Sequence, residues 1–371
     1  MTEEKDSEVK STTSESQWVK IKRRFFRHRL GVLGLVVVTV LFLVALLANF
    51  ISPYDMTRQL KAYSYAPPSR IRFRTQDGKL TRPFVYPLKK ERDEITLAVT
   101  YAEDKSERYP IKFFVSGDSY KFLGLFETDL HLFGTGTDQA PIFLFGSDGL
   151  GRDLFSRVIW GSRVSMTIGP LGIIISFTLG IFFGGISGYF GGTFDMSIQR
   201  FTEVVMSFPQ LPLWLALRAS FPDTWSSVIT YMVMVVILAF VNWAKVARVI
   251  RGQFLSLKEK EFSTAAKAVG CSNARIIFRH ILPGTTSYLI VAATVAVPGY
   301  ILGESSLSFL GLGIREPMAS WGLLLRDAQS ITNLESHPWL MIPGVFIIIA
   351  VLAFNFMGDA LRDAVDPFAE V

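Results

Sequence analysis

The stretch SLKEKEFSTAAKAVGCSNARIIFRHILP, residues 256–283, is polar, helix-forming and net basic, yet it lies between two segments apolar enough to span a bilayer. A membrane protein that carries such a segment offers a surface to a partner in the cytosol. Ser256 followed three residues later by Glu259 has capping-box spacing and predicts a helix start, and Gly270 predicts its stop. Phe262, Ala265, Ala266 and Val269 fall at i, i+3, i+4 and i+7, one narrow face whose small centre allows close approach. A second short helix is expected over 273–282, ended by the restriction Pro283 places on the residue before it. By periodicity alone, an ordinary amphipathic surface helix remains an alternative.

Working outward, 50% of the 371 residues are hydrophobic and mean hydropathy is +0.34, too apolar for a soluble chain of this length unless much of that surface faces lipid. Six segments are long enough to cross roughly 30 Å of hydrocarbon as helices: 30–51, 164–189, 204–220, 228–247, 285–303 and 339–357. Lys20, Lys22, Arg23, Arg24, Arg27 and Arg29 crowd before the first span without an acidic residue among them, which predicts a cytoplasmic N-terminus. Counting spans then puts the 248–283 loop and the C-terminus inside as well. That loop carries seven basic residues against Glu259 and Glu261, in independent agreement. Topology therefore explains the basic excess, and nucleic-acid binding is not needed. The first span is expected to be retained rather than cleaved, since no small-residue cleavage pattern follows it. Cys271 has no partner in the chain, so no intrachain disulfide forms and a metal site is not expected.

The polar residues 1–17 are expected to be a disordered tail within a cytoplasmic segment 1–29. Residues 52–145 form the sizeable soluble region, placed outside the cytoplasm. Its runs 95–101, 109–115 and 120–126 are β-branched or aromatic between polar turns, which predicts a small β-rich domain. Basic residues between Arg70 and Arg92 and acidic ones from Glu103 to Glu107 give it mixed charge. The strings GTGTDQ and GSDGLGRD lack both a Walker spacing and an EF-hand loop, so turn chemistry is preferred over a bound phosphate or calcium. Gly180, Gly184 and Gly188 make a small-residue ridge for close helix packing in lipid. Pro209, Pro212 and Pro298 interrupt spans, marking either a translocation path or ordinary kinks. Residues 304–338 suit short helices at the outer membrane face.

The 256–283 stretch resembles the cytoplasmic coupling loop of ABC-importer permeases, written EAA, three residues, Gly, nine residues, I-x-LP. Ala265, Ala266, Gly270, Leu282 and Pro283 match its spacing, whereas Thr264 stands where the motif has glutamate and His280 where it has isoleucine. Glu261 one turn earlier and Ile281 next door are the nearest substitutes. GSDGLGRDLFSRVIWGSRVS, GYFGGTFD, SFPQLPL, ESSLSFLGLG, SWG and GDALRDAVDP, spread over 146–367, are similar to the C-type subunit of the oligopeptide and dipeptide branch. The region from about 56 to 145 is longer than that family's usual connection.

The resemblance implies an all-α polytopic membrane protein with six transmembrane helices, the permease core over 146–367, a β-rich extracytoplasmic insertion and a short tail 368–371. It implies a bacterial or archaeal cell membrane, a homologous second permease, two ATP-binding subunits and an extracytoplasmic solute-binding protein. Glu261, Phe262, Thr264, Ala265, Ala266, Val269, Gly270, Ile281, Leu282 and Pro283 would form the coupling contact, a helix set into a groove of the ATPase. ATP and Mg would be bound by those partners: this chain has no G-x-x-x-x-G-K-[ST] string, no catalytic constellation and no expected cofactor. The cargo would be peptides, with nickel, glutathione or oligosaccharides as alternatives. A secondary transporter needs ionisable groups deep in its spans, whereas Arg218, Lys245 and Glu304 fall near the expected span ends. A sensor needs a cytoplasmic signalling domain, and an intramembrane enzyme needs nucleophile and base at membrane depth; neither pattern occurs.

Overall fold

The computed structural model describes residues 17–75, 78–92, 94 and 99–366. The expected polar tail, save Gln17, the start of the 95–101 run and residues 368–371 lie outside them.

The segment expected as a tail to residue 29 is partly helical: α1 (Gln17–Arg27) sets Phe25 against Ala360 and Ala364 of the last helix and leaves its basic residues outward. Trp18, Ile21 and Phe25 recur at helical spacing among lysines and arginines, which makes this an amphipathic helix rather than coil. His28 then caps α2 (Arg29–Leu46), its Nδ1 accepting from the Gly31 N–H at 3.0 Å. On α2, Leu33, Val36, Val40 and Leu43 are about half exposed on the face turned away from the bundle. A one-turn helix α3 (Ala48–Ile51) ends this first crossing.

The insertion folds as three small antiparallel sheets. β1 (Arg72–Arg74), β2 (Leu80–Val85) and β5 (Tyr109–Pro110) form one, β3 (Leu88–Arg92) and β4 (Val99–Glu103) another, β6 (Lys112–Phe122) and β7 (Phe126–Gly134) the third. The expected strand 120–126 is instead a hairpin turn. Phe122 pairs with Phe126 while Leu123 and Gly124 take φ of 49° and 75°, a reversal that glycine admits at little cost. The expected strand 109–115 breaks at Ile111: its N–H still donates to Pro83 O of β2 at 2.8 Å, but proline has no N–H to return the bond, and the β2–β5 ladder ends there.

The remaining chain is helical: α4 (Leu154–Phe190), α5 (Gly192–Ser207), α6 (Gln210–Ala219), α7 (Ser227–Lys258), α8 (Glu261–Ala268), α9 (Asn273–Ile276), α10 (Leu282–Phe309), α11 (Trp321–Leu324), α12 (Ile331–Ser336) and α13 (Ile342–Val365). Among the described residues five helices are long and apolar enough to cross a membrane. The third expected span, 204–220, is not one helix. Its residues belong to α5 and α6, which break at Phe208 and Pro209, both extended at ψ 138° and 132°. Proline disfavours helical geometry in the residue before it, so the helix stops at Ser207. Together α5 and α6 lead from the end of α4 to the start of α7.

Two ends can be told apart. At one, Gly188 of α4 lies against Arg251 of α7, Gly284 of α10 against Leu257, and Arg24 of α1 donates to Asp366 O. At the other, the Tyr54 N–H donates to Ser156 Oγ, Ser227 Oγ to Glu316 O and Trp339 Nε1 to Ser147 O. The glycine ridge of α4 runs along α7: a Cβ at Gly180 would sit 2.6 Å from Val246 and one at Gly188 would sit 2.6 Å from Arg251 O. Lipid tails are as apolar as leucine, so such backbone approach, rather than hydrophobicity, holds these helices together.

Candidate functional site

The first candidate surface is α8. Ser256 does not cap it, because α7 continues through Lys258 while Phe254 and Leu257 pack into the cluster of Phe177, Ile250, Ala266 and Ile281. A capping box there would have to pull those side chains out of the core. α8 starts instead at Glu261 after an extended Lys260. It is held to the bundle by two small residues: Ser263 Oγ donates to Leu257 O at 2.9 Å, and Ala266 is 7% exposed. Its end is a Schellman motif, Cys271 N–H to Ala266 O at 3.0 Å and Gly270 N–H to Lys267 O at 3.1 Å, with Gly270 at φ 80°.

Of the ten residues singled out in sequence, Glu261, Phe262, Thr264, Ala265, Val269, Gly270 and Pro283 are exposed. Ala266 and Ile281 are buried and Leu282 is half-buried, so these three anchor the loop rather than present it. The apolar Phe262–Ala265–Val269 face has nothing of the described residues over it: Phe262 is 44% and Val269 80% exposed. Thr264 turns its hydroxyl back on its own helix, donating to Glu261 O at 3.0 Å.

The expected stop at Pro283 does not occur either. α9 passes through five π-helical residues, Ile277–Ile281, straight into α10, with Pro283 in its first turn. A wider π turn makes room for the proline ring that a regular turn would meet at the preceding carbonyl. The loop is thereby in rigid continuity with α10.

The second candidate surface is a cleft of about 600 Å³ between α6, α7 and α10. Trp214 and Gln210 come from α6, Asn242, Lys245 and Val249 from α7, Tyr288, Ala292, Ala296 and Gly299 from α10, with Ser176 of α4 beside Tyr300. Rim residues Val249, Val295 and Leu302 are 40%, 45% and 47% exposed, so the described residues leave its open side uncovered. The α5–α6 break sets Gln210 as the first residue of α6, where Nε2 donates to Asn242 Oδ1 at 3.3 Å. Irregular backbone at membrane depth is tolerated where it lines such a cavity. Tyr300 OH donates to Ser176 Oγ at 2.7 Å. Lys245, expected near a span end, lies more than three helical turns before Lys258 because α7 outlasts its apolar stretch.

At the opposite end, GSDGLGRD is a charged turn. Asp148 Oδ2 accepts from Arg152 Nε at 2.7 Å and from Arg157 Nη1, and both arginines also reach Glu316 Oε1, at 2.7 and 2.9 Å. Asp153 caps α4, accepting from the Ser156 N–H at 2.7 Å, and burial pushes its carboxyl up to about 7. The carboxylate of Asp148 is thus engaged by arginines, as turn chemistry requires. Glu304, expected at a span end, lies inside α10, fully buried, with Ser308 Oγ donating to it at 2.6 Å.

Sequence reasoning missed α1, the cleft lining and the Asp148–Glu316 network. The aromatic-basic rhythm of 18–27 could have found the first. The other two join residues far apart in the chain and leave no local trace.

Comparison with known proteins fits this geometry. Residues 180–371 match the model of the binding-protein-dependent transport system inner membrane component, and residues 16–68 match the N-terminal TM domain of oligopeptide transport permease C. The chain is 42% identical over 242 residues to the oligopeptide transport system permease protein OppC of Haemophilus influenzae, covering 65% of this chain and 75% of that one. It is 39% identical over 242 residues to the OppC of Escherichia coli, 65% of this chain and 78% of that one. It is 40% identical over 224 residues to the dipeptide transport system permease protein DppC of Bacillus subtilis, 60% of this chain and 68% of that one. The family model alone spans more than half of the residues, and the chain belongs to the binding-protein-dependent transport system inner membrane components.

Proposed function

We propose that this chain is a membrane subunit of an ATP-driven importer for oligopeptides or dipeptides, forming the translocation path with a homologous second permease. The end bearing α8 and the basic residues of α1 faces the cytoplasm, and both termini lie there. Two ATP-binding subunits supply ATP and Mg, and a solute-binding protein delivers cargo at the opposite end. Cargo class rests on the names of the relatives, OppC and DppC.

The observation that carries the coupling part is the uncovered Phe262–Ala265–Val269 face on a helix whose other side is fastened by Ser263 and Ala266. An ATPase groove closing on that face pushes a rigid body. α8 bears on the end of α7, and α9 runs unbroken into α10, so the push reaches two of the three cleft walls. Ala265→Glu places a charge in the middle of the contact. In the assembled transporter it should abolish ATP-driven uptake while membrane insertion of this chain stays normal. Uptake at the unaltered rate would overturn the assignment.

A further inference from the structure

The cleft lining holds one charged side chain. Lys245 is exposed into a space otherwise bounded by neutral groups, and among the described residues no carboxylate pairs with it. An ammonium near the middle of a long helix is costly to keep away from water and is retained where it serves a function, usually with an anion. Trp214 lines the same cleft and is 7% exposed; its Nε1–H is buried and among the described residues has no acceptor. A buried indole N–H without a partner costs the desolvation of that group.

Three other lining groups are already engaged. Asn242 donates to Leu238 O at 3.0 Å, Gln210 donates to Asn242, and Tyr300 donates to Ser176. Small residues on α10, Ala292, Ala296 and Gly299, leave room opposite these donors, and a Cβ at Gly299 would meet nothing within 4 Å. The cleft therefore presents one cation among neutral groups, with open space beside Gly299. Every peptide, whatever its side chains, ends in a carboxylate preceded by a carbonyl: an anion next to a neutral acceptor.

We propose that Lys245 is a subsite for the C-terminal carboxylate of the peptide in transit. The proposal rests on the peptide-import reading above. It makes recognition in the path independent of cargo sequence, since the carboxylate fixes one end of the chain whatever its side chains. Lysine suits this role because a flexible point charge holds an anion without demanding the two-pronged geometry of arginine and releases it readily.

The test uses the complete transporter in proteoliposomes with its binding protein. Uptake of one tripeptide is compared with that of its C-terminal amide, each as kcat/KM, and the ratio is read for wild type, Lys245→Gln, Lys245→Met and Lys245→Arg. Discrimination by the binding protein is common to all four and cancels when ratios are compared. Losing a charge-assisted contact should lower the acid-to-amide ratio about tenfold in the Gln and Met variants. Arg should restore most of it, which a merely structural lysine would not require. An unchanged ratio in either neutral variant overturns the subsite. A wild-type complex that imports neither peptide overturns the import reading, and the subsite with it.

Discussion

Asp195 and Arg251 form a two-pronged ion pair, Nε to Oδ1 and Nη2 to Oδ2 both at 2.6 Å, which ties the first turn of α5 to α7 near the end that carries α8. Ser187 Oγ of α4 also donates to Asp195, so three helices meet at this carboxylate. The Arg251 hydrogen bonds hold the Asp195 carboxyl below its ordinary value of 3.8. Arg251→Lys keeps the charge but loses the planar fork, and should destabilise the detergent-solubilised protein by about 1–2 kcal/mol. A depressed aspartate contributes stability above its unfolded pKa and loses it as pH falls through the folded one. The gap in thermal midpoint between wild type and Asp195→Asn should therefore shrink below pH 3.8, and a gap that stayed constant would count against the pair.

The α4–α7 contact is a backbone contact, and two glycines distinguish it from generic helix packing. A Cβ at Gly184 would strike the Ala247 backbone, whereas one at Gly252 would meet nothing within 4 Å. Gly184→Leu should lower stability by about 1–3 kcal/mol or prevent folding. Gly252→Ala, also in a helix interior, should raise stability by about 0.5–1 kcal/mol through helix propensity. Thermal unfolding of both variants checks the pair of signs.

At the proposed coupling surface the acidic position of the motif is occupied by Thr264, whose hydroxyl is engaged by its own helix, while Glu261 is exposed one turn earlier. If Glu261 meets a basic group of the ATPase, Glu261→Ala should reduce co-purification several-fold more than Thr264→Ala, because a charged partner loses more than a neutral one. Equal losses from the two variants would refute the displaced contact.

The insertion divides into a part woven into the membrane end and a part that projects. Tyr65 N–H donates to Asp148 O and Ala66 N–H to Ser147 Oγ, and His131 in β7 places its ring nitrogens against Ser52 O at 2.5 Å and Asp118 O at 2.9 Å. The sheets of β1–β5 join this part through side chains, Tyr101 OH donating to Ser64 O at 2.7 Å and Tyr109 OH to Gln139 Oε1 at 2.9 Å. Replacing residues 70–111 by a flexible linker should leave the permease folded. If this mixed-charge region contacts the binding protein, affinity should fall at low salt and the deficit should narrow as salt rises. Unchanged affinity at both extremes would assign the sheets a different role.

The sequence by itself determined the class of the protein, because apolar length, flanking lysines and arginines, and the 256–283 spacing are local in the chain. Gly270 could be read as a helix stop from its identity, since few other residues take φ 80° without strain. Local rules failed where packing outweighed them. The Ser256 cap lost to the burial of Phe254 and Leu257, the Pro283 stop was absorbed by a π turn, and the span 204–220 broke at Phe208 and Pro209. The face that looked uniform along Phe262, Ala265, Ala266 and Val269 was split by the bundle, which buried Ala266 and left the other three outward. The cleft around Lys245 and the network joining Asp148 to Glu316 were decided by tertiary structure alone. Their members come from helices that meet only after the chain has folded back across itself, and no spacing along the sequence records which helix faces will meet.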